Sequence, residues 1–256
     1  MSTATELTGT YTPPSGILVL DEPVTPEEKA AYVREMFDDI AHRYDLLNSV
    51  LSAGIHKGWR GFATRCACLE KGDSVLDVCS GTGEWTMSLR NAVGPNGLVM
   101  AADFSLPMLQ FGDARFRRET AQEIQADASV LPFTAESFDA VTIGFGIRNV
   151  ADRDKAFREM ARVLKPGGRV VCLEFSQPPA GLFRTGYELH ARHVMPRIGG
   201  AISGRPDAYT YLPASVARFD SREQLADRMR GAGLQSVRFV NLTFGLVCVH
   251  VGQKPL

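Results

Sequence analysis

Long apolar runs are missing from this 256-residue chain, and none approaches the roughly 18 residues needed to span a bilayer. No basic residue precedes Lys29, so neither a secretory nor a transit peptide is read at the start. Excess charge is absent too: 28 Lys and Arg face 29 Asp and Glu, a net charge of -1. That balance offers no global attraction for nucleic acid. Cysteine is sparse, with Cys66 and Cys68 in a C-x-C and Cys79, Cys172 and Cys248 scattered. An odd count without zinc spacing argues for reduced thiols and a cytoplasmic setting, and no metal is expected. Hydrophobic content of 45% and charged content of 22% are ordinary for a soluble globular enzyme. The length suits one large domain, or one domain with a cap.

What is present is organised around Ser74 to Thr86, SVLDVCSGTGEWT. Val75 to Val78 read as a short buried strand, Cys79 to Gly83 as a tight turn, and Glu84-Trp85 as the start of a helix. Glycine permits close ligand approach, and a helix N-terminus adds free N–H groups and a positive dipole end. Twenty residues beyond Gly83, Asp103 ends a second apolar run, where a carboxylate can accept both hydroxyls of a ribose. The dinucleotide pattern G-x-G-x-x-G fails, because Thr86 occupies the third glycine site. No Gly-Lys-Ser/Thr closes the turn, so a P-loop is excluded. What remains is acidic-x-x-x-Gly-x-Gly, from Asp77, Gly81 and Gly83. It resembles the first motif of class I S-adenosylmethionine (SAM) methyltransferases, whose ligand carries a ribose and a zwitterionic amino acid but no pyrophosphate.

Residues 1–24, rich in Thr, Ser, Pro and Gly, are expected to be a loose tail. A capping box with proline at the first helical position, Thr25-Pro26-Glu27-Glu28, opens a helix. Its Tyr32, Val33, Met36, Phe37 and Ile40 share one face. A second helical stretch follows, so residues 25–70 read as a helical lid ahead of the first core strand. From residue 71 to 256 the chain alternates strand and helix, the signature of a parallel sheet. Strands are expected near 74–79, 97–102, 122–126, 138–144 and 168–175, with helices near 84–92, 105–117 and 152–164. Lys165-Pro166-Gly167-Gly168 is expected to break the last of these helices. Residues 177–218 interrupt the alternation as an irregular, partly helical insertion. Ser221-x-x-Gln224 caps one more helix, and strands near 235–241 and 245–252 close the sheet as a hairpin.

In open sheets of this kind, ligands bind outside the carboxyl ends of the strands at the topological switch point. That rule selects Asp77, Ser80, Gly81, Thr82 and Gly83 in the first turn. It also selects Asp103, then Asp127 and Ala128 after the third strand, and Gly144 to Asn149 after the fourth. Asp127 can accept an adenine amino group while the Ala128 N–H faces a ring nitrogen, although a turn role explains Asp127 equally well. Gly144-Phe145-Gly146-Ile147-Arg148-Asn149 puts two glycines, an aromatic ring, a cation and an amide at one strand end.

FDDIAHRYDLLNSVLSAGIHKGWR, VLDVCSGTGEW, LPFTAESFDAVTIGFGIRNVADRDKAFREMARVLKPGG, LEFSQP and NLTFGLVCVHVGQKP occur in this order. Together they resemble the menaquinone/ubiquinone biosynthesis C-methyltransferase family from Glu28 to Pro255. DVCSGTGEW with AVGPNG, IGFGIRNV and FSQP are most similar to its demethylmenaquinone branch. The resemblance implies a class I SAM-dependent methyltransferase (Rossmann-like) α/β fold. Its seven-stranded, mostly parallel sheet has order 3-2-1-4-5-7-6, helices on both faces and an N-terminal helical lid. SAM is the implied cofactor, with contacts at Thr82, Asp103, Asp127 and Ala128. Cys79 stands where the usual turn has glycine, and Ser80 where this family often has it. Both are small, so the turn is expected to survive, with a Ser80 hydroxyl contact.

The implied acceptor is a ring carbon of a demethylated polyprenyl quinol, giving menaquinol. Such a carbon becomes nucleophilic when the neighbouring phenol is ionised, which calls for positioning, phenolate control and a dry pocket. Arg148 is the first candidate for phenolate control, and Asn149 could orient a water or the second quinol oxygen. Arginine stays protonated, so a base role would run through water. Tyr44 and Asp45, on the lid, are the next candidates to touch the quinol. His190 and His193 lie in the insertion and read more readily as surface or packing residues. Glu174 reads equally as a structural carboxylate.

Arg184, Arg192, Arg197 and Arg205, interspersed with Leu189, Val194, Met195 and Ile198, suit either a peripheral contact with anionic lipid or a solvated cap. A place at the inner face of the plasma membrane would follow from the insoluble tail of the substrate. Homo-oligomerisation is left open. The competing readings are methylation of a benzoquinol in ubiquinone synthesis and a non-catalytic membrane-associated pathway component. RNA methylation is disfavoured by the lack of a basic, aromatic-interleaved surface.

Overall fold

A computed structural model describes residues 25–119, 121–179 and 206–256, and four positions between 181 and 189. His190, His193 and the arginines at 184, 192, 197 and 205 lie outside the described residues, as does the tail at 1–24. Helix α1 (Pro26–Ile40) starts on the expected capping box: Glu28 N–H donates to Thr25 Oγ1 at 3.2 Å, and Thr25 N–H donates to Glu28 Oε2 at 2.8 Å. Helix α2 (Tyr44–Leu51) and helix α3 (Ile55–Cys66) follow, separated by a turn in which Ala53 and Gly54 take positive φ.

The sheet comprises β1 (Ser74–Val78), β2 (Leu98–Asp103), β3 (Gln122–Gln125), β4 (Phe138–Gly144), β5 (Leu164–Phe175), β6 (Gln235–Leu242) and β7 (Val247–Gln253). Its order is β3-β2-β1-β4-β5-β7-β6, and among the described strands β7 alone runs against the direction of the other six. Between strands lie α4 (Glu84–Val93), α5 (Leu106–Glu119), α6 (Arg153–Val163), α7 (Pro206–Ala217) and α8 (Arg222–Gly231).

Strand alternation divides the core between the two faces. Leu76, Val141 and Val170 point to α6 and α8, where Phe157, Met160 and Met229 cover them. Val75, Val99 and Val171 point the other way, onto Trp59, Trp85, Leu89 and Val93 of α3 and α4. Each fully buried side chain of this size stabilises the fold by about 1.5–3 kcal/mol. The apolar face read on α1 packs as expected: Tyr32, Val33, Met36 and Ile40 meet Leu47, Met108 and Tyr211.

One boundary differs from the sequence reading. Lys165 to Gly168 do not precede the strand but bulge out of it, since Leu164 already pairs with Phe138 and Arg169 with Ala140. Gly167 supplies the positive φ of +77° for that detour. Lys165 Nζ is anchored on Asp139 Oδ2 at 2.8 Å.

Among the described residues, no helix is long and apolar enough to cross a membrane, and no group of three or more potential ligands could hold a metal ion.

Candidate active site

Strand β1 sits between β2 and β4, so the chain reverses its direction of travel across the sheet at the carboxyl end of β1. The turn there is built on unusual backbone: Cys79, Gly81 and Gly83 have φ of +54°, +56° and +81°. Cys79 therefore adopts a conformation that favours glycine. Its side chain occupies space left by a second glycine, because a Cβ on Gly146 would lie 2.4 Å from Cys79 Cβ. Gly83 has no such freedom; a Cβ there would lie 2.2 Å from Cε1 of the buried Phe116.

Two carboxylates hold this turn from beneath. Asp77 is buried and accepts hydrogen bonds from Thr86 Oγ1 at 2.7 Å and Thr142 Oγ1 at 2.8 Å. Burial pushes its pKa up to about 6 against those two hydroxyls. Both bonds tie Asp77 to α4 and β4, so these contacts fix the turn. Asp103 accepts from Gly81 N–H at 2.8 Å through Oδ2 and from Ser105 N–H at 2.9 Å through Oδ1. It too is raised to about 6, chiefly by burial.

A first cavity opens above the turn. Gly81, Asp103, Asp127, Ala128, Gly144 and Asn149 line it, together with Val33, Phe37 and Tyr44 from α1 and α2. Asp127 is exposed and accepts from Ser129 N–H at 2.7 Å. Ser80 Oγ is buried and has no hydrogen-bond partner among the described residues. A buried hydroxyl costs free energy unless a partner arrives, but Ser80 is not among the residues that line the cavity. Two carboxylates at the strand ends suit hydroxyl and amino donors rather than phosphates. The residues present therefore fit SAM.

A second, largely apolar cavity of about 320 Å³ lies alongside, and Phe37, Tyr44 and Phe145 line both. Trp59, Phe145 and Phe175 form an aromatic wall, with Phe145 and Phe175 centroids 4.7 Å apart and Trp59 and Phe145 centroids 6.2 Å apart. Polar groups are few: Ser52, His56, Arg60, Arg148 and Thr243 are among them. Burial also pushes the Tyr44 phenol up, with Arg60 and Arg148 opposing.

Several residues singled out from sequence have duties that the sequence did not show. Arg148 lines the second cavity, but its Nη1 is paired with Glu174 Oε1 at 2.7 Å, and both side chains are buried. Its charge is already balanced, which weakens the case for a lone cation acting on a phenol. Asn149 accepts from Tyr211 Oη at 2.9 Å. Burial raises that tyrosine to about 12. Asp45 faces the turn: it accepts from Thr82 Oγ1 and pairs with Arg115 Nη2 at 2.8 Å. Thr82 is thus tied to α2 through its hydroxyl, and its carbonyl accepts from Arg115 Nη1 at 2.6 Å.

Sequence reading missed a polar group in the second cavity. His56 Nδ1 lies 2.6 Å from Ser52 Oγ, His56 Nε2 lies 3.3 Å from Glu84 Oε2, and Arg60 Nη1 donates to the same oxygen at 2.6 Å. The signal was the four-residue spacing of His56 and Arg60, which places them on one face of α3; Ser52 joins them from the turn that ends α2. Glu84 could not be joined to them without the packing of α3 on α4.

Comparison with known proteins agrees with this geometry. The model of the ubiE/COQ5 methyltransferase family matches residues 25–254. The ubiquinone/menaquinone biosynthesis C-methyltransferase UbiE of Escherichia coli O1:K1 / APEC is 40% identical over 235 residues, covering 90% of this chain and 94% of that protein. Among solved structures, the [4+2]-cyclase SpnF superposes with a TM-score of 0.65 at 19% identity, covering 91% of this chain and 98% of that one. Haemonchus contortus phosphoethanolamine N-methyltransferase 2, in complex with SAM, gives a TM-score of 0.55 at 18% identity, covering 75% and 51%. At such identities the two structures support the fold alone, and their different activities show why. The family match and the curated relative go further: this chain belongs to the ubiE/COQ5 methyltransferase family, the SAM-dependent C-methyltransferases of quinone biosynthesis.

Proposed function

We propose that the protein methylates the ring carbon of demethylmenaquinol to give menaquinol. SAM would occupy the first cavity and the quinol ring the second. The observation that carries this reading is the shared wall: Phe37, Tyr44 and Phe145 separate a cavity ending on two carboxylates from an apolar one. When bound, SAM supplies an electrophilic methyl group on a sulfonium. Asp103 would hold the ribose hydroxyls, Asp127 and Ala128 the adenine edge, and Gly81, with Ser80 beside it, the amino-acid end. Thr82 and Gly83 shape the turn, while Asp77 anchors it from below. Gly144 lines the same cavity, and its glycine accommodates the Trp85 ring behind it, since a Cβ there would sit 2.6 Å from Trp85 Cε3.

In the second cavity the aromatic wall would stack the ring and exclude water, and Tyr44 would set its distance from the first cavity. Arg148, its charge shared with Glu174, would meet a quinol oxygen, while Asn149, which lines the first cavity, would act on the second through its bond from Tyr211. Asp45 would act through Thr82, by closing α2 over the turn. The broad apolar wall of Trp59, Phe145 and Phe175, whose rings are tilted against one another, would suit the larger apolar surface of a bicyclic naphthoquinol. The N-terminal helices would serve as the lid, since α1 and α2 line both cavities.

The prenyl tail would enter from a bilayer. Ile55, which lines the second cavity, is half exposed near Leu46 and Val50, and Phe244, next to the cavity residue Thr243, is 79% exposed. That apolar rim is the proposed membrane contact. The deciding assay offers SAM with demethylmenaquinol and a demethylated benzoquinol side by side in detergent, with methyl transfer read by mass. Methylated naphthoquinol alone is the expected outcome. Turnover of the benzoquinol alone would redirect the enzyme to ubiquinone synthesis. SAM binding without either product would overturn the substrate assignment, and no SAM binding would favour a non-catalytic component.

A further inference from the structure

The second cavity contains one group whose chemistry the reading above leaves unused. His56 is 3% exposed and lines the cavity, as does Ser52. The Ser52 hydroxyl donates to the Asn48 carbonyl oxygen at 2.5 Å and lies 2.6 Å from His56 Nδ1, within reach of a proton passed in either direction. On the far side of the ring, Nε2 is buried, makes no aligned hydrogen bond, and faces Glu84 Oε2 at 3.3 Å. Glu84 is itself held by Arg60 at 2.6 Å. A carboxylate behind one ring nitrogen and a hydroxyl before the other is the geometry of an oriented base.

We infer that Ser52, His56 and Glu84 form a proton relay that accepts the phenolic proton of the bound quinol, with Ser52 Oγ as the touching atom and Glu84 as the positioning residue. This rests on the reading of the second cavity as the quinol site. The charged groups facing His56 are Arg60 and Lys57 from its own helix and Glu84 from α4. Burial, Arg60 and Lys57 disfavour the imidazolium while Glu84 favours it, and the net effect lowers the pKa from its ordinary 6.5. The ring is therefore neutral, and able to accept a proton, at physiological pH.

The proton balance closes. The phenol O–H breaks and its proton passes to Ser52 Oγ as the Ser52 hydrogen passes to His56 Nδ1. The imidazolium then carries hydrogen on both nitrogens, with Nε2–H directed at Glu84. The phenolate electron pair, delocalised to the adjacent ring carbon, forms the carbon–methyl bond. The carbon–sulfur bond of the sulfonium methyl donor breaks and its electron pair stays on sulfur. The ring C–H proton leaves to water, which restores the aromatic ring as a phenolate, and the imidazolium returns its proton to that oxygen through Ser52. One proton is released in total, and nothing is oxidised or reduced.

The test uses a nitro-substituted naphthol whose phenolate absorbs in the visible, bound to the full-length protein without SAM. Binding is followed by quenching of Trp59 fluorescence, with Trp85 as the other tryptophan. Wild type is expected to ionise the bound naphthol at a proton concentration at least tenfold higher than His56→Gln does, and Ser52→Ala should shift in the same direction. His56→Gln should also slow methyl transfer about a hundredfold. Its residual rate should climb with pH as hydroxide takes over, while SAM affinity stays within twofold. Equal naphthol titrations in wild type and both variants, or no naphthol binding at all, would overturn the relay. If His56→Gln fails to bind SAM and so reports misfolding, the Ser52→Ala titration decides alone. A wild type that methylates the quinol while both variants keep its rate and pH profile refutes the relay and leaves the proposed function standing. A wild type that methylates neither quinol overturns both.

Discussion

Replacing Asp103 by Asn separates stability from cofactor affinity, because the structure puts the two in opposition. The Asp103 carboxyl is buried and held at about 6 against an ordinary 3.8. Above pH 7 that difference is worth about 3 kcal/mol of unfavourable charge burial. An amide removes the charge but brings a donor of its own. Its oxygen can keep one of the two backbone bonds, from Gly81 N–H or Ser105 N–H, and its NH2 group then confronts the other. A buried donor without an acceptor costs about 1–3 kcal/mol. The two terms nearly cancel, so urea unfolding without ligand should show between no change and a gain of about 2 kcal/mol. SAM loses a charged acceptor for its ribose, worth about 1.5–3 kcal/mol. Calorimetry should therefore record SAM binding weakened roughly 10- to 150-fold. An affinity within threefold of wild type would refute the placement of the ribose on Asp103. A stability loss above about 2 kcal/mol would refute the burial argument.

Three further outcomes follow from other contacts. Glu174→Gln should cost about 3 kcal/mol in a urea melt, the lower end for breaking a buried pair, because it strands the Arg148 charge while keeping an oxygen for Phe175 N–H. Adding Arg148→Met should recover part of that loss, and simple additivity would count against the pairing. His250 is buried, donates from Nε2 to the Arg222 carbonyl oxygen at 2.9 Å, and is lowered to about 4, chiefly by burial. A folded pKa below the unfolded 6.5 means that its stability contribution is complete above pH 6.5 and is lost as pH falls toward 4. By pH 5 the loss is about 2 kcal/mol, and it should vanish in His250→Gln when the two pH–stability curves are subtracted. Gly83→Ala combines a φ of +81° with a Cβ 2.2 Å from Phe116, so it should lose about 3 kcal/mol and most SAM binding; a thermal melt within 2 °C of wild type would contradict both.

How far the fold and the site could be read in advance follows from the range of the forces involved. The turn at Cys79 to Gly83 and the carboxylates Asp77, Asp103 and Asp127 were legible because strand, glycine and acid occur at short, regular spacings. The capping boxes at Thr25 and Ser221 were legible for the same reason, since each satisfies its own helix end within three residues. The bulge at Lys165 to Gly168 was misplaced because a glycine pair marks a break without saying whether it stands before a strand or within one. Glu174 was readable only as a carboxylate of either role until Arg148, 26 residues away in sequence, was seen against it.

Local chemistry in the chain determined the class of protein: the alternation of strands and helices set the parallel sheet, and the acidic-glycine turn chose its ligand type. Tertiary packing decided the rest. It joined Asp45, a candidate for the quinol, to Thr82, and it paired Arg148 with Glu174. It also assembled Ser52, His56 and Glu84 beside a cavity that no single segment contains. The physical reason is that secondary structure and turns arise from neighbours a few residues apart. The charge state and reach of a side chain depend on whatever the folded chain brings within a few ångströms, and on how much water it removes.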